Sequence, residues 1–420
     1  MARKVLVSFL GIGKYIECVY SINDRNSRVV TYVQNAIVDL LAADYDEYIV
    51  FCTKMAYEKH FENLAKESNV TFKPQLIPEG LNEEEIWQIF KVVFEQIKEG
   101  DEVIYDITHS FRSLPMLGIT LLQYSKFLKN ISVNGIYYGA FENLGFPREI
   151  SEKYPNPNDR KVPLLNLTAF SLLQDWTIAA NNFINLGNAK MMKKLTLQGV
   201  NPILAATKGK DKTARKLRNL ADELAEFSSN LRVNRGANIM DGASSTNAKN
   251  ILNQIDDYEL IPPFKPIVDN IEETLESYSE KDVFNLFKGV EWCIDKQLIQ
   301  EGITQLQEGT ITFLAVKQNW DYKDKPIRNL ISSYLSVRFH KSKEKWTDEL
   351  GDPNYQKNVE ALDKIENIKK ICGVYSAISQ KRNDINHGGF SSNSPADGFE
   401  RDLKNSYEKI IKYFKLNNAY

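Results

Sequence analysis

The sequence predicts an α/β domain followed by an all-helical one, and three observations predict it. Across residues 1 to about 165, apolar runs of strand length alternate with helical patterns. From Leu164 onward strand patterns nearly vanish and helical periodicity takes over. The chain has 420 residues, enough for two or three domains, with apolar and charged fractions ordinary for a globular protein.

Lys4–Leu10 (KVLVSFL) reads as a buried strand, with a helical pattern over Val29–Ala42 and a second strand at Glu47–Thr53. Met55–Lys66 reads as helix, Thr71–Ile77 as extended, and Glu83–Lys98 as helix. Glu102–Ile107 (EVIYDI) is a strand, Ser113–Phe127 a helix, and Ser132–Tyr138 a further strand. Alternation of this kind means a parallel sheet with helices on both faces, a Rossmann-like domain. Residues 143–163, rich in Pro, Asn and charge, read as a linker or exposed excursion. Helices are then expected at 166–187, 213–228, 247–258, 266–278, 282–308, 326–341, 355–387 and 398–415, with a mobile polar segment near 228–250. The division is therefore 1–165 and 166–420.

Net charge is −2, so no global field favours nucleic acid and any anion site must be local. Cys18, Cys52, Cys293 and Cys372 are far apart with no CxxC spacing. That pattern argues against zinc or a disulfide framework and suits a reducing cytoplasm. No apolar run reaches membrane-spanning length, and residues 1–10 lack a signal-peptide core. Six cations crowd into Lys208–Arg218. They fit a solvated helix entrance, with a surface guiding RNA phosphates as the alternative.

Ligands of doubly wound sheets lie beyond the carboxyl ends of the strands, and two loops stand there. Gly11-Ile12-Gly13 follows the first strand; its glycines let backbone approach a ligand, though a tight turn uses the same residues. Asp106-Ile107-Thr108-His109-Ser110-Phe111-Arg112-Ser113 follows a strand and opens a helix, where amides and the helix dipole favour anions. Helix capping needs one hydroxyl. Three hydroxyls with His109 and Arg112 exceed that need and mark a ligand site.

Near the other end, an apolar helical stripe (Ile365, Ile368, Ile371, Tyr375, Ile378) continues onto Arg382, followed by Asn383, His387 and the helix-stopping Gly388-Gly389. At ~100° per residue, Arg382 and His387 point about 140° apart, while Asn383 and His387 share a face. A guanidinium can stabilise charge on a phosphate, an imidazole can move a proton near neutral pH, and Asn383 can orient either. A solvated cation at a helix C-terminus is the plainer account of the same residues.

The loop DITHSFRSLP, with FLGIGKY at the start and YYGAFE at 137–142, resembles a CARF domain, and more narrowly the CARF–HEPN proteins of type III CRISPR systems. A helical domain ending in Arg382-Asn383-x-x-x-His387 resembles the R-x4-H pattern of HEPN ribonucleases. The resemblance implies a dimer, or a multiple of dimers, binding cyclic oligoadenylate through Gly11, Gly13, Thr108, His109, Ser110 and Arg112. The tetra-adenylate is the ring size expected of this allosteric activator. It further implies a composite, metal-independent ribonuclease site acting on single-stranded RNA through Arg382, Asn383 and His387, with no catalytic cofactor and no membrane partner.

Two other classes compete. A non-catalytic nucleotide sensor would bind DNA or protein through its helical domain, but no basic recognition helix is evident. A nicotinamide-dependent oxidoreductase would need the full G-x-G-x-x-G, and residue 16 is Ile.

Overall fold

The computed structural model describes residues 2–108, 114–146, 149–255, 265–339, 348–390 and 392–416. The chain divides into two compact units, Met1–Asp175 and Trp176–Tyr420.

The first unit is built on eight strands: β1 (Lys4–Leu10), β2 (Val19–Ile22), β3 (Arg25–Asn26), β4 (Glu47–Cys52), β5 (Phe72–Leu76), β6 (Glu102–Asp106), β7 (Ser132–Gly139) and β8 (Lys161–Asn166). Their order is β3-β2-β8-β7-β6-β1-β4-β5. Strands β5, β4, β1, β6 and β7 run parallel, whereas β8 pairs antiparallel with β7 and β3 antiparallel with β2. The sheet is thus mixed rather than parallel throughout. The supposed linker at 143–163 buries Leu144 and Ile150 and leads directly into β8. Its lack of apolar period is explained by Arg160, which is buried and donates to the carbonyls of Tyr154, Glu17 and Pro155. Buried backbone oxygens satisfied by a guanidinium leave no alternating pattern to read.

Helices α1 (Val33–Leu41), α2 (Lys54–Ala56) and α3 (Glu62–Glu67), the last two joined by a π-helical turn at Tyr57–Phe61, precede α4 (Glu83–Gln96), α5 (Leu114–Lys129) and the short α6 (Ile150–Lys153). Alternate strand residues feed two cores. Leu6, Leu10, Tyr48, Val50 and Ile104 pack with α1 residues such as Val33 and Ile37, while Val7, Phe9, Ile49, Phe51 and Val103 pack with Ile89, Val93 and Leu121 from α4 and α5. Period-two burial on both faces is what a sheet clothed by helices on each side requires.

The second unit is helical, and its first helix begins within the first unit. Helix α7 (Thr168–Leu186) leads to α8 (Lys190–Ala206), α9 (Lys212–Arg232), α10 (Gly236–Asp241), α11 (Ala243–Leu252) and α12 (Lys265–Glu276). There follow α13 (Asn285–Asp295), α14 (Ile299–Lys317), α15 (Lys325–Val337), α16 (Asp348–Gly351), α17 (Gln356–Asp363), α18 (Ile368–Asn386) and α19 (Gly398–Phe414). Two apolar cores meet at α13: Leu286 belongs to one built from Trp176 to Cys293, and Phe287 and Val290 to another reaching Leu416.

Several expected helices are corrected. Helix α8 went unforeseen, its pattern interrupted by Gly199 and Pro202. The polar stretch at 228–250 is the end of α9 followed by α10 and α11, not a mobile loop. Its small residues serve close packing: Ser228 is buried and donates to the Gly187 carbonyl, and Asn238 donates to Asn230. The single helices expected over 282–308 and 355–387 are each broken by one left-handed residue, Gln297 (φ 56°) and Asn367 (φ 60°). The expected helix ends at 256–258 and 340–341 lie outside the described residues. The basic run is a helix entrance, with the Asp211 carboxylate accepting from the Ala214 amide and most of the cations exposed.

Candidate functional site

In the α/β unit β1 lies at the middle of the parallel strands, with β4 and β5 on one side of it and β6 and β7 on the other. Strands are added outward from β1 in both directions, which makes the carboxyl ends of β1 and β6 a topological switch point. The two strand ends are tied together there, because the Ser8 hydroxyl donates to Asp106 Oδ2 at 2.6 Å. Asp106 Oδ1 accepts from the Thr108 amide (3.0 Å) and the Thr108 hydroxyl (2.6 Å). Asp106 is 0% exposed; burial raises its pKa above the ordinary carboxylate value, against the lowering effect of Ser8 and Thr108.

The Thr108 Oγ1 also accepts from the Gly139 amide at 2.8 Å, binding the loop after β6 to the end of β7. Its proton and one lone pair are therefore committed within the protein, so the hydroxyl acts as a brace. Thr108 nonetheless lines an open cavity of about 560 Å³ with Tyr138, Gly139, Phe141, Glu142, Gly145 and Phe146. Tyr138 donates to Glu142 Oε2 at 2.9 Å, and burial and that carboxylate push its pKa up to about 12, so it stays a neutral phenol. Aromatic faces beside a carboxylate suit a heteroaromatic base bearing an exocyclic amine. Tyr138, Phe141 and Glu142 lie in the YYGAFE stretch, where their part in the cavity went unread; Phe146 carried no signal at all.

Gly11 closes a turn, its amide donating to the Tyr15 hydroxyl and its carbonyl accepting from it. Lys59 Nζ donates to the Ile12 carbonyl at 2.8 Å. Gly13 is exposed, and a Cβ built there meets nothing within 4 Å, which leaves its backbone open to approach. His109, Ser110 and Arg112 lie outside the described residues.

In the helical unit, Arg382 stands near the end of α18 and His387 is its C-cap. The Gly388 and Gly389 amides return to the carbonyls of Ile385 and Asp384, and both glycines adopt positive φ (61° and 75°), so the helix stops where the Gly-Gly pair says it should. Arg382 is half-buried and its Nη1 donates to Gln307 Oε1 on α14 at 2.8 Å. Asn383 and His387 are exposed on one face, linked by the His387 amide to the Asn383 carbonyl. The segment after the helix is pinned from Asp384, which accepts from the Ser394 amide at 3.0 Å and whose pKa is lowered by hydrogen bonds from Ser394 and Ser392. Lys381 adds an ion pair to Asp402 at 2.9 Å. Neither Gln307 nor Asp384 was singled out from sequence; no local pattern marks them.

The fold and these two constellations define a class: an α/β unit with an open cavity beside the ends of β6 and β7, carried with a helical unit that ends a helix in arginine and histidine. Residues 172–281 match the family model described as CRISPR-associated protein MJ1674, second domain. The chain is also similar to CRISPR-associated protein MJ1674 of Methanocaldococcus jannaschii, at 29% identity over 126 residues. That stretch is 29% of this chain and 18% of that protein, so the chain spans far less than two thirds of its relative. The family match runs from α7 through α12 and covers most of the first helical core. No described helix is long and apolar enough to cross a membrane.

Proposed function

We propose that this chain is a CRISPR-associated endoribonuclease that cleaves single-stranded RNA when a cyclic oligoadenylate, the tetra-adenylate first, occupies its α/β unit. The observation that carries the reading is Arg382: a guanidinium seated on a buried stripe, gripped by a buried amide, five residues before an exposed histidine. The aromatic-lined cavity beside Thr108 supports the activator half. The likeness to a CRISPR-associated protein supports the biological setting.

The chemistry needs no cofactor. RNA carries its own nucleophile, the 2'-hydroxyl. His387 takes that proton, the 2'-oxygen attacks phosphorus, and the bond to the 5'-oxygen breaks as that oxygen regains a proton. Arg382 faces the charge that builds on the non-bridging oxygens, and Asn383 orients the pair. Products carry a 2',3'-cyclic phosphate and a 5'-hydroxyl. One Arg–His pair per chain calls for a second copy to supply the other proton carrier, hence a homodimer or a multiple of dimers.

The test is fluorescent RNA cleavage with a panel of cyclic oligoadenylates in EDTA. Wild type should cut only with the matching ring, and His387→Ala and Arg382→Ala should each lose about 10²–10⁴-fold in rate while binding activator normally. Arg382→Lys should rescue poorly, since an ammonium lacks the planar fork. Full activity in His387→Ala would end the ribonuclease reading and favour a non-catalytic sensor.

A further inference from the structure

Gln307 lies mid-helix in α14 and is 6% exposed, yet every polar atom of its side chain is engaged. Its Nε2 donates to Ser379 Oγ at 2.8 Å and Tyr375 Oη at 3.2 Å, and its Oε1 accepts from Arg382 Nη1 at 2.8 Å. The orientation of the amide follows from Ser379. That hydroxyl spends its proton on the Tyr375 carbonyl (2.8 Å), so toward Gln307 it can only accept. The nitrogen end of Gln307 must face it, which turns the oxygen end to Arg382. Tyr375 is buried and its Oη lies 3.0 Å from Ser332 Oγ on α15, so three helices fix this one amide. A buried amide is costly unless fully paired, and a merely solvated arginine has no need of one.

We propose that Gln307 is the positioning residue for Arg382, holding the guanidinium pre-set for a phosphate without cancelling its charge. This rests on the ribonuclease reading. A carboxylate in the same place would grip the arginine equally well but neutralise it; an apolar side chain would leave the charge and free the group. Residues 375, 379 and 382 share one face of α18, so the clamp also explains why an arginine occupies the next place on an apolar stripe.

The experiment compares Gln307→Leu and Gln307→Glu in the full-length protein. One arm follows the Arg382 Nε–H resonance by NMR, assigned through Arg382→Lys; the other measures kcat and KM for RNA with saturating activator. Gln307→Leu should make Arg382 mobile and lower kcat roughly 10–100-fold, as a displacement of about 1 Å does, with KM within about twofold. Gln307→Glu should keep Arg382 ordered and still lose kcat, a split that a packing role would not produce. If Gln307→Leu fails to fold, Ser379→Ala, which removes the contact that turns the amide, carries the same comparison. An unchanged Arg382 signal in Gln307→Leu, or an unchanged kcat, overturns the proposal. If wild type cuts no RNA while Arg382 is ordered only with Gln307 present, the ribonuclease reading falls and the clamp stands.

Discussion

Thr108→Val removes one hydroxyl and keeps the side chain's shape. The structure gives that hydroxyl two tasks, donating to buried Asp106 and accepting from the amide of buried Gly139. A buried amide left without a partner costs about 1–3 kcal/mol, and a lost hydrogen bond about 0.5–1.5 kcal/mol. Both act through one oxygen and do not add in full, so the α/β unit should lose about 2–4 kcal/mol. A domain of this size shifts roughly 2–4 °C in Tm per kcal/mol, which predicts a fall on the order of 5–15 °C. Differential scanning calorimetry should show that fall in the transition assigned to the α/β unit, with the helical unit unmoved. Thr108→Ser keeps the oxygen, so it should stay within about 1 kcal/mol of wild type and hold the same affinity for the activator. A Thr108→Val protein melting within a degree of wild type would show that the hydroxyl is not a brace. Loss of activator binding in a fully stable Thr108→Val would make it a ligand contact instead.

Gly242→Ala should destabilise the helical unit by at least ~2 kcal/mol in urea, because Gly242 sits at φ 69° and its Cβ would fall 2.3 Å from the Ser279 carbonyl oxygen. Hydrogen exchange should find the amides of Ile239, Ala248 and Leu252 protected, since all three are buried in helices; rapid exchange across 236–252 would restore the mobile segment. Two carboxyls should tilt stability with pH in opposite senses. Burial pushes Asp363 up, but hydrogen bonds from Arg338 and Tyr334 outweigh it and leave the pKa lowered, so its contribution is present above the unfolded value and lost as pH falls through the folded one. Asp106 is raised by burial, so its contribution is complete below the unfolded value and lost as pH rises through the folded one. Asp363→Asn should therefore flatten the acid limb of the helical unit, and Asp106→Asn the decline of the α/β unit above about pH 4; pH-dependent melts in which neither slope changes would refute both assignments.

What the sequence determined by itself is whatever is written locally. Strands β1, β4 and β6 begin and end within a residue of the runs that announce them, because burial on both faces forces a nearly continuous apolar run. The stop of α18 at Gly388-Gly389 was equally legible, since few residues but glycine adopt positive φ twice running. Arg382 stood out for the same reason: it breaks a periodic stripe. The tertiary structure alone decided the rest. It added β2 and β3 to the sheet, strands of four and two residues too short to announce themselves, and β8, whose apolar residues are interrupted by Pro163. It turned a Ser- and Asn-rich stretch into packed helices whose polar groups find partners in distant segments. It assigned the Thr108 hydroxyl to Asp106 and Gly139 rather than to open space. It also set Gln307 against Arg382, 75 residues away, a pairing no period encodes, because a hydrogen bond across packed helices depends on where the chain returns and not on what stands beside it.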